Sequence, residues 1–284
     1  MGVCHLCREK TGWFQDTHLA CVERATVARG QAEVVVGKGV LEGKAYLDLE
    51  AEVNAIAAET KFSFETLREA VVQAADSAAS QLAVKSPLPE VELTRLVRIL
   101  QGFGVQSFEA ELAQRRWFGM ALVGMSHILW QVLHDIAPYF DESGRMQFNL
   151  QSGEVPIIAS GKVTFAEERS VSIHTRGHGG LSIPVGGGCY YHLGLTQGQT
   201  ERVSGLQAID VGEMLITNQA LYFGGQQKTL RMSLKDVIRY QPYVDAVGVC
   251  ESGSPRVFVP DYRGMDTGWF FYNLLTALTS KLTQ

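Results

Sequence analysis

The chain has 284 residues, 46% of them hydrophobic and 19% charged, with a mean hydropathy of +0.02. That balance excludes a disordered chain and supplies enough apolar surface for more than one core. A formal net charge of -5 gives no global attraction for nucleic acid or anionic lipid, so either would have to be held by a local basic patch.

Of the five cysteines, three lie within the first 21 residues, while Cys189 and Cys250 stand isolated in apolar runs. This spacing predicts reduced thiols rather than a disulfide framework. The opening Met-Gly-Val-Cys-His has no charged segment followed by an apolar run, so the expected compartment is the cytoplasm. Met1-Gly2 could begin a myristoylation signal, but Leu6 stands where that signal needs a hydroxyl.

Cys4, Cys7, His18 and Cys21 form a C-x2-C, ten residues, H-x2-C array. Three thiolates and one imidazole complete a tetrahedron around Zn2+ and leave no position for water, so the spacing predicts one structural, non-catalytic zinc per chain. Residues 8–17 read as a short hairpin bearing Trp13 and Phe14, and residues 18–29 as the first turns of a helix. Residues 1–30 thus resemble a treble-clef-like zinc finger. A nucleic-acid-binding finger needs several cations on its helix, and this one offers Arg24 and Arg29 against Glu23, so nucleic acid is not the expected partner.

Residues 30–43 read as a short strand or a linker. Their VVVGKG lacks the glycine spacing and the hydroxyl after lysine that a phosphate loop uses. From 44 to 140 the period is helical, predicting a bundle of three to five helices. Leu67, Ala70, Val71, Ala74, Ala75, Ala78 and Leu82 mark one face; Leu93, Leu96, Val97 and Leu100 mark the next. Gly102 and Gly104 end that helix, and Ser107 can cap another. The apolar segment from Trp117 to Ile136 is interrupted by His127, Gln131, His134 and Asp135, and reads as a buried helix rather than a membrane span. His127 and His134 lack a third ligand and read as a core or surface pair. An exposed face on this helix would make a homo-oligomer interface.

Residues 150–284 switch to short apolar or alternating runs separated by glycine, the pattern of an antiparallel barrel or sandwich. Phe271, Leu274, Leu275, Leu278 and Leu282 then fall at helical spacing after Asp266 or Thr267 as N-cap. The expected fold class is α+β and multidomain: zinc finger at 1–30, central helical bundle at 44–140, and a C-terminal antiparallel β barrel at 150–284 capped by a C-terminal helix.

Within that last segment, Gly212-Glu-Met-Leu-Ile-Thr-Asn-Gln-Ala-Leu-Tyr-Phe-Gly-Gly225 and Lys228-Thr-Leu-Arg-Met-Ser-Leu-Lys-Asp-Val-Ile238 resemble the strand pairs of bacterial pleckstrin-homology-like (PH-like) and GRAM-like domains. Leu215, Ile216, Thr217, Asn218, Leu221 and Phe223 carry the first match, and Ser233, Leu234 and Ile238 the second. The resemblance implies a seven-stranded, partly open barrel with a helix plugging one end. Ala220 departs from the pattern, which commonly places a cation there. The nearest basic residues that could form a ligand-binding patch are Lys228, Arg231, Lys235 and Arg239, with Arg231 and Ser233 on one face and Leu230, Met232 and Leu234 turned inward. The glycine-rich segment 177–194 reads as hairpin turns, because a phosphate cradle opens a helix and this run leads into a strand.

No Gly-x-Ser-x-Gly, His-Glu-x-x-His or paired-carboxylate metal cluster is present. The sequence reading is therefore a non-enzymatic cytosolic binding or scaffold protein whose PH-like domain docks a protein or peptide partner. Anionic membrane binding through the basic patch is the alternative. The remaining readings are a nucleic-acid-binding finger and an enzyme assembled from dispersed residues such as His174, His178, His192 and Asp210.

Overall fold

The computed structural model describes residues 2–6, 9–12, 16–105, 118–138, 148–174, 181–184, 190–193, 200–253, 255–262 and 265–283, with backbone alone between 170 and 204. The chain is α+β and forms two compact units, Met1–His134 and Asp135–Gln284.

The first unit contains helices α1 (Leu19–Leu41), α2 (Tyr46–Thr60), α3 (Phe64–Lys85), α4 (Glu90–Phe103) and α5 (Gly119–Leu133). Residues 30–41, expected as a strand or linker, instead continue α1, and the helix runs straight through the boundary expected at residue 30. The physical reason is tertiary: Ala25, Ala28, Ala32, Val36, Gly39 and Val40 are buried on one face of α1, and packing at helical spacing overrides the β-branched, glycine-rich local preference. Gly39 is required there, because a Cβ would meet Leu49 Cδ2 at 2.4 Å.

Helix α3 is central, with Leu67, Val71, Ala74, Ala75 and Ala78 buried, and packs against α1 and α5. Asp76 on α3 accepts the Gly119 N–H at 2.7 Å, placing a carboxylate on an otherwise unpaired donor at the start of α5. Arg95 on α4 donates to the Lys44 and Val40 carbonyls at 2.9 and 3.0 Å and pairs with Glu92, tying the C-terminus of α1 to α4.

Helix α5, the apolar segment, is buried along most of its length, packing on α3 and α4. Among the described residues no helix is long and apolar enough to cross a membrane. His127 is buried; its Nδ1 donates to the Leu88 carbonyl at 2.9 Å and its Nε2 faces the Glu90 carboxylate at 2.9 Å. His134 donates to the Trp130 carbonyl. Ser107 lies outside the described residues.

The second unit is a curled seven-stranded antiparallel sheet. Its strands are β1 (Pro156–His174), β4 (Thr200–Thr217), β5 (Ala220–Gly225), β6 (Thr229–Ser233), β7 (Arg239–Pro242), β8 (Val247–Cys250) and β9 (Arg256–Pro260). The order is β6-β5-β4-β1-β9-β8-β7, with β2 (Leu181–Pro184) and β3 (Tyr190–Leu193) as a separate hairpin. Among the described residues the sheet does not close, and β6 and β7 are its outer strands.

The short runs expected as separate strands between 156 and 174 fuse into β1, which pairs with β4 from Pro156↔Thr217 to His174↔Thr200. Register shifts within β1, at Pro156/Ile158, Ser160/Val163 and Phe165/Ala166, add the local twist that curls the sheet. Phe165, Phe223 and Phe258 are fully buried with ring centroids 5.3 to 6.1 Å apart, forming the centre of the core. Helix α6 (Gly268–Leu282) buries Phe270, Phe271, Leu274, Leu275 and Leu278 and packs on β7, β8 and the 3-10 turn Leu234–Asp236. Its start comes so close to the β7–β8 turn that a Cβ on Gly268 would lie 1.8 Å from the Tyr243 carbonyl.

Candidate metal centre

At the N-terminus, an isolated antiparallel bridge between Val3 and Lys10 folds the chain back on itself. The Cys4 N–H donates to the Glu9 carbonyl at 2.8 Å and the Thr11 N–H to the Gly2 carbonyl at 2.9 Å. This loop carries Cys4, fully buried, to the start of α1, where His18 occupies the N-cap position and Cys21 is 3% exposed.

The ligand atoms of Cys4, His18 and Cys21 all lie within 4.8 Å of one another, and these three residues could hold a metal ion. Cys7, the fourth expected ligand, lies outside the described residues, as do Trp13 and Phe14. The His18 Nδ1 to Cys21 Sγ distance is 3.8 Å. Bond lengths of about 2.3 Å to sulfur and 2.0 Å to nitrogen give a tetrahedral edge of about 3.5 Å, so the pair needs only a small contraction to close on zinc.

The imidazole is already oriented for that role. Its Nε2 lies 3.1 Å from the Lys10 carbonyl, which can only accept, so Nε2 carries hydrogen and Nδ1 points at the thiols. Arg24 Nη2 donates to Cys21 Sγ at 3.4 Å, a second-layer contact of the kind that steadies a ligating sulfur. Without metal, the Cys21 sulfur and then the Lys10 carbonyl hold the His18 pKa above its ordinary value. Metal binding must therefore displace protons from the site.

Of the three cations on α1, the two that the sequence places on the finger helix, Arg24 and Arg29, are engaged within the protein. Arg24 contacts Cys21 and sits 6.0 Å from the centroid of the Phe62 ring. Arg29 donates to the Thr66 carbonyl at 2.9 Å.

In the second unit the basic residues divide. Arg231 is ion-paired at 2.5 Å with Glu154, whose side chain is fully buried, and Tyr222 donates to the same carboxylate. Arg231 Nε also donates to the Tyr222 hydroxyl at 3.0 Å, closing a three-residue network. Burial alone would push the Glu154 carboxyl up; the bonds from Tyr222, Arg231 and the Gln151 N–H outweigh it and hold the pKa below the ordinary value. Lys228 pairs with Glu167 at 3.4 Å, while Lys235 and Arg239 are exposed. Sequence spacing did not point to Glu154 or Tyr222, because Glu154 sits 77 residues from Arg231 and only the fold joins them.

The motif residues of the β4–β5 turn are likewise internal. Thr217 Oγ1 accepts the Ala220 N–H at 2.9 Å, and Asn218 Oδ1 accepts the Val155 N–H at 2.8 Å, fastening the turn to the start of β1. Gly212 allows β4 and β5 to approach, since a Cβ there would meet the Gly224 carbonyl at 2.2 Å.

Asp210 accepts N–H bonds from Gln227 and Lys228 at 2.7 and 2.8 Å. Burial would raise its pKa, but these bonds with those from Val211 and Gln226 hold it below the ordinary value. Its carboxylate is therefore occupied in holding the β5–β6 turn. Of the histidines grouped with it, His174 and His192 are described by backbone alone and His178, like the glycine-rich stretches 177–180 and 185–189 with Cys189, lies outside the described residues.

No family model matches the chain, and neither a curated protein nor a solved structure matches it.

Proposed function

We propose that this chain is a non-enzymatic binding protein: a structural zinc held by Cys4, Cys7, His18 and Cys21 fixes its N-terminal loop against α1, and its C-terminal unit is a PH-like docking module. The strand order supports the PH-like reading. Two meanders, β1-β4-β5-β6 and β7-β8-β9, meet where β1 pairs with β9, and α6 packs against β7 and β8. A curled seven-stranded sheet with a helix at its end is compatible with the arrangement the resemblance implies.

The observation that carries the docking reading is the β7 edge. Edge strands offer unpaired backbone groups to an added strand, and β7 is flanked by two exposed apolar side chains, Ile238 at 75% and Val244 at 70%. An extended peptide laid along β7 would pair with its backbone and cover both. The basic patch is a weaker basis for lipid binding, because Arg231 and Lys228 are engaged with Glu154 and Glu167.

The test captures partners with the tagged full chain and with its Ile238→Asp and Val244→Asp variants, alongside metal analysis of each. The expected result is about one zinc in all three and loss of the partner from both variants. Capture that both substitutions leave intact refutes docking at β7. Salt-sensitive sedimentation with phosphatidylserine vesicles, weakened by Lys235→Ala and Arg239→Ala, would favour the membrane reading instead.

A further inference from the structure

Helix α1 carries apolar side chains on both faces, and among the described residues only one face is packed along its length. Opposite the buried face run the exposed residues Ala20, Glu23, Val27, Gly30, Val34 and Leu41, at the three- and four-residue spacing of a helix-pairing seam, with half-buried Gly37 in the same register beside Ala74 of α3. Val27, Val34 and Leu41 are 62%, 66% and 46% exposed. An exposed helix face rarely carries such a stripe.

The glycines separate further. Gly39 is explained within the chain by Leu49, but a Cβ on Gly30 would meet nothing within 4 Å. A mid-helix glycine costs helix stability relative to alanine, so the missing side chain is informative. It clears space where a second helix could cross closely.

We propose that this face pairs with α1 of a second copy of the chain, antiparallel, around a two-fold axis beside Gly30. The pattern is self-complementary in that arrangement. About the midpoint between Gly30 and Gln31, Val27 is placed symmetrically with Val34, Ala20 with Leu41, and Glu23 with Lys38. Each copy's Glu23 then faces Lys38 of the other, giving two opposite-charge pairs at the ends of an apolar centre. A parallel pairing would set Glu23 on Glu23 and Lys38 on Lys38. Lys38 already contacts Glu42 at 3.6 Å, but both side chains are more than half exposed, and an exposed pair of this kind contributes too little to hold Lys38 from a better partner. The face differs from the one the sequence suggested for self-association, α5, which is spent on α3 and α4.

The test is sedimentation velocity of the full chain over about 1 to 100 µM, a range that spans micromolar affinities. The expected result is a concentration-dependent dimer. Glu23→Lys and Lys38→Glu should each weaken it on the order of tenfold, and the doubly exchanged chain should regain the original affinity. Val34→Asp, on an exposed position, should give a monomer with an unchanged melting profile. A chain that stays monomeric throughout overturns the proposal. So does a dimer indifferent to Val34→Asp, and a dimer that the double exchange fails to restore overturns the antiparallel pairing.

Discussion

The two units spend their polar side chains in opposite ways. In the first, the ligand atoms of Cys4, His18 and Cys21 lie within 4.8 Å of one another, and the Lys10 carbonyl and Arg24 orient His18 and Cys21. In the second, the buried carboxylates turn to groups of the same chain: Glu154 to Tyr222 and Arg231, Asp210 to the backbone of the β5–β6 turn. A cluster of metal-ligating side chains makes a part of the fold that a metal ion could complete, whereas carboxylates bonded to their own chain make a fold that completes itself. Among the described residues before α1, Cys4 and Thr11 are buried and Val3 is exposed.

The largest expected effect follows from that contrast. Structural zinc contributes on the order of 10 kcal/mol in small finger peptides, so chelation or Cys21→Ser should abolish metal binding and the order of residues 2–6 and 9–12 together. Hydrogen exchange at the Cys4 and Thr11 amides would report it, since both are protected by bonds inside that loop. The distal turns of α1, packed on α3, should stay protected, and the C-terminal unit should melt as before. Equal loss in both units would break the comparison.

The next largest effect lies in the sheet unit. Gly268→Ala forces a Cβ against the Tyr243 carbonyl and must shift the start of α6, for an expected loss of about 3 kcal/mol. Thermal unfolding with a probe in the sheet would measure it, and metal content should not change.

How much of this was legible depended on whether the signal was local. The spacing of Cys4, Cys7, His18 and Cys21, the α3 face and α6 are patterns within about twenty residues that the sequence displays directly, and the structure brings Cys4, His18 and Cys21 together while Cys7 lies outside the described residues. The Gly-Val-rich stretch 30–43 was misread because α1 is stabilised there by contacts with α3, which no local propensity reports. The partner of Arg231 was invisible for the same reason: a strand cation looks solvent-facing until the fold brings Glu154 beneath it. Thr217, Asn218 and Gly212 were noticed as a motif, but only their hydrogen bonds and close approach reveal that the motif serves the turn and strand packing.

Breaking the Glu154 network should cost less than the α6 clash. Glu154→Gln removes the charge but keeps the shape, leaving Arg231 about one quarter exposed and without its ion-pair partner, for an expected loss of about 2 kcal/mol by chemical denaturation. Combining it with Arg231→Met should recover much of that loss, because the second substitution removes the stranded charge. A double variant no better than the single one would show that the carboxylate supports the fold through Tyr222 and Gln151 rather than through Arg231.

The smallest effect sharpens the same comparison through pH. Glu154 and Asp210 both have pKa values below those of unfolded carboxylates, despite burial that opposes the shift. In the window below about pH 4 the unfolded chain therefore binds more protons than the folded one. Their stabilisation is fully present above the unfolded pKa and is lost as pH falls through the folded values. Acid should accordingly lower the protection of the Gln227 and Lys228 amides, measured against the intrinsic exchange rate at each pH, because Asp210 accepts both and is protonated there. Asp210→Asn should speed exchange at those amides already at neutral pH and flatten its acid dependence, while Glu154→Gln should flatten the acid dependence of sheet unfolding and leave the turn amides nearly unchanged. If one substitution alters both profiles alike, the two carboxylates act as one network, and the sheet unit completes itself through a single shared polar core rather than two separate ones.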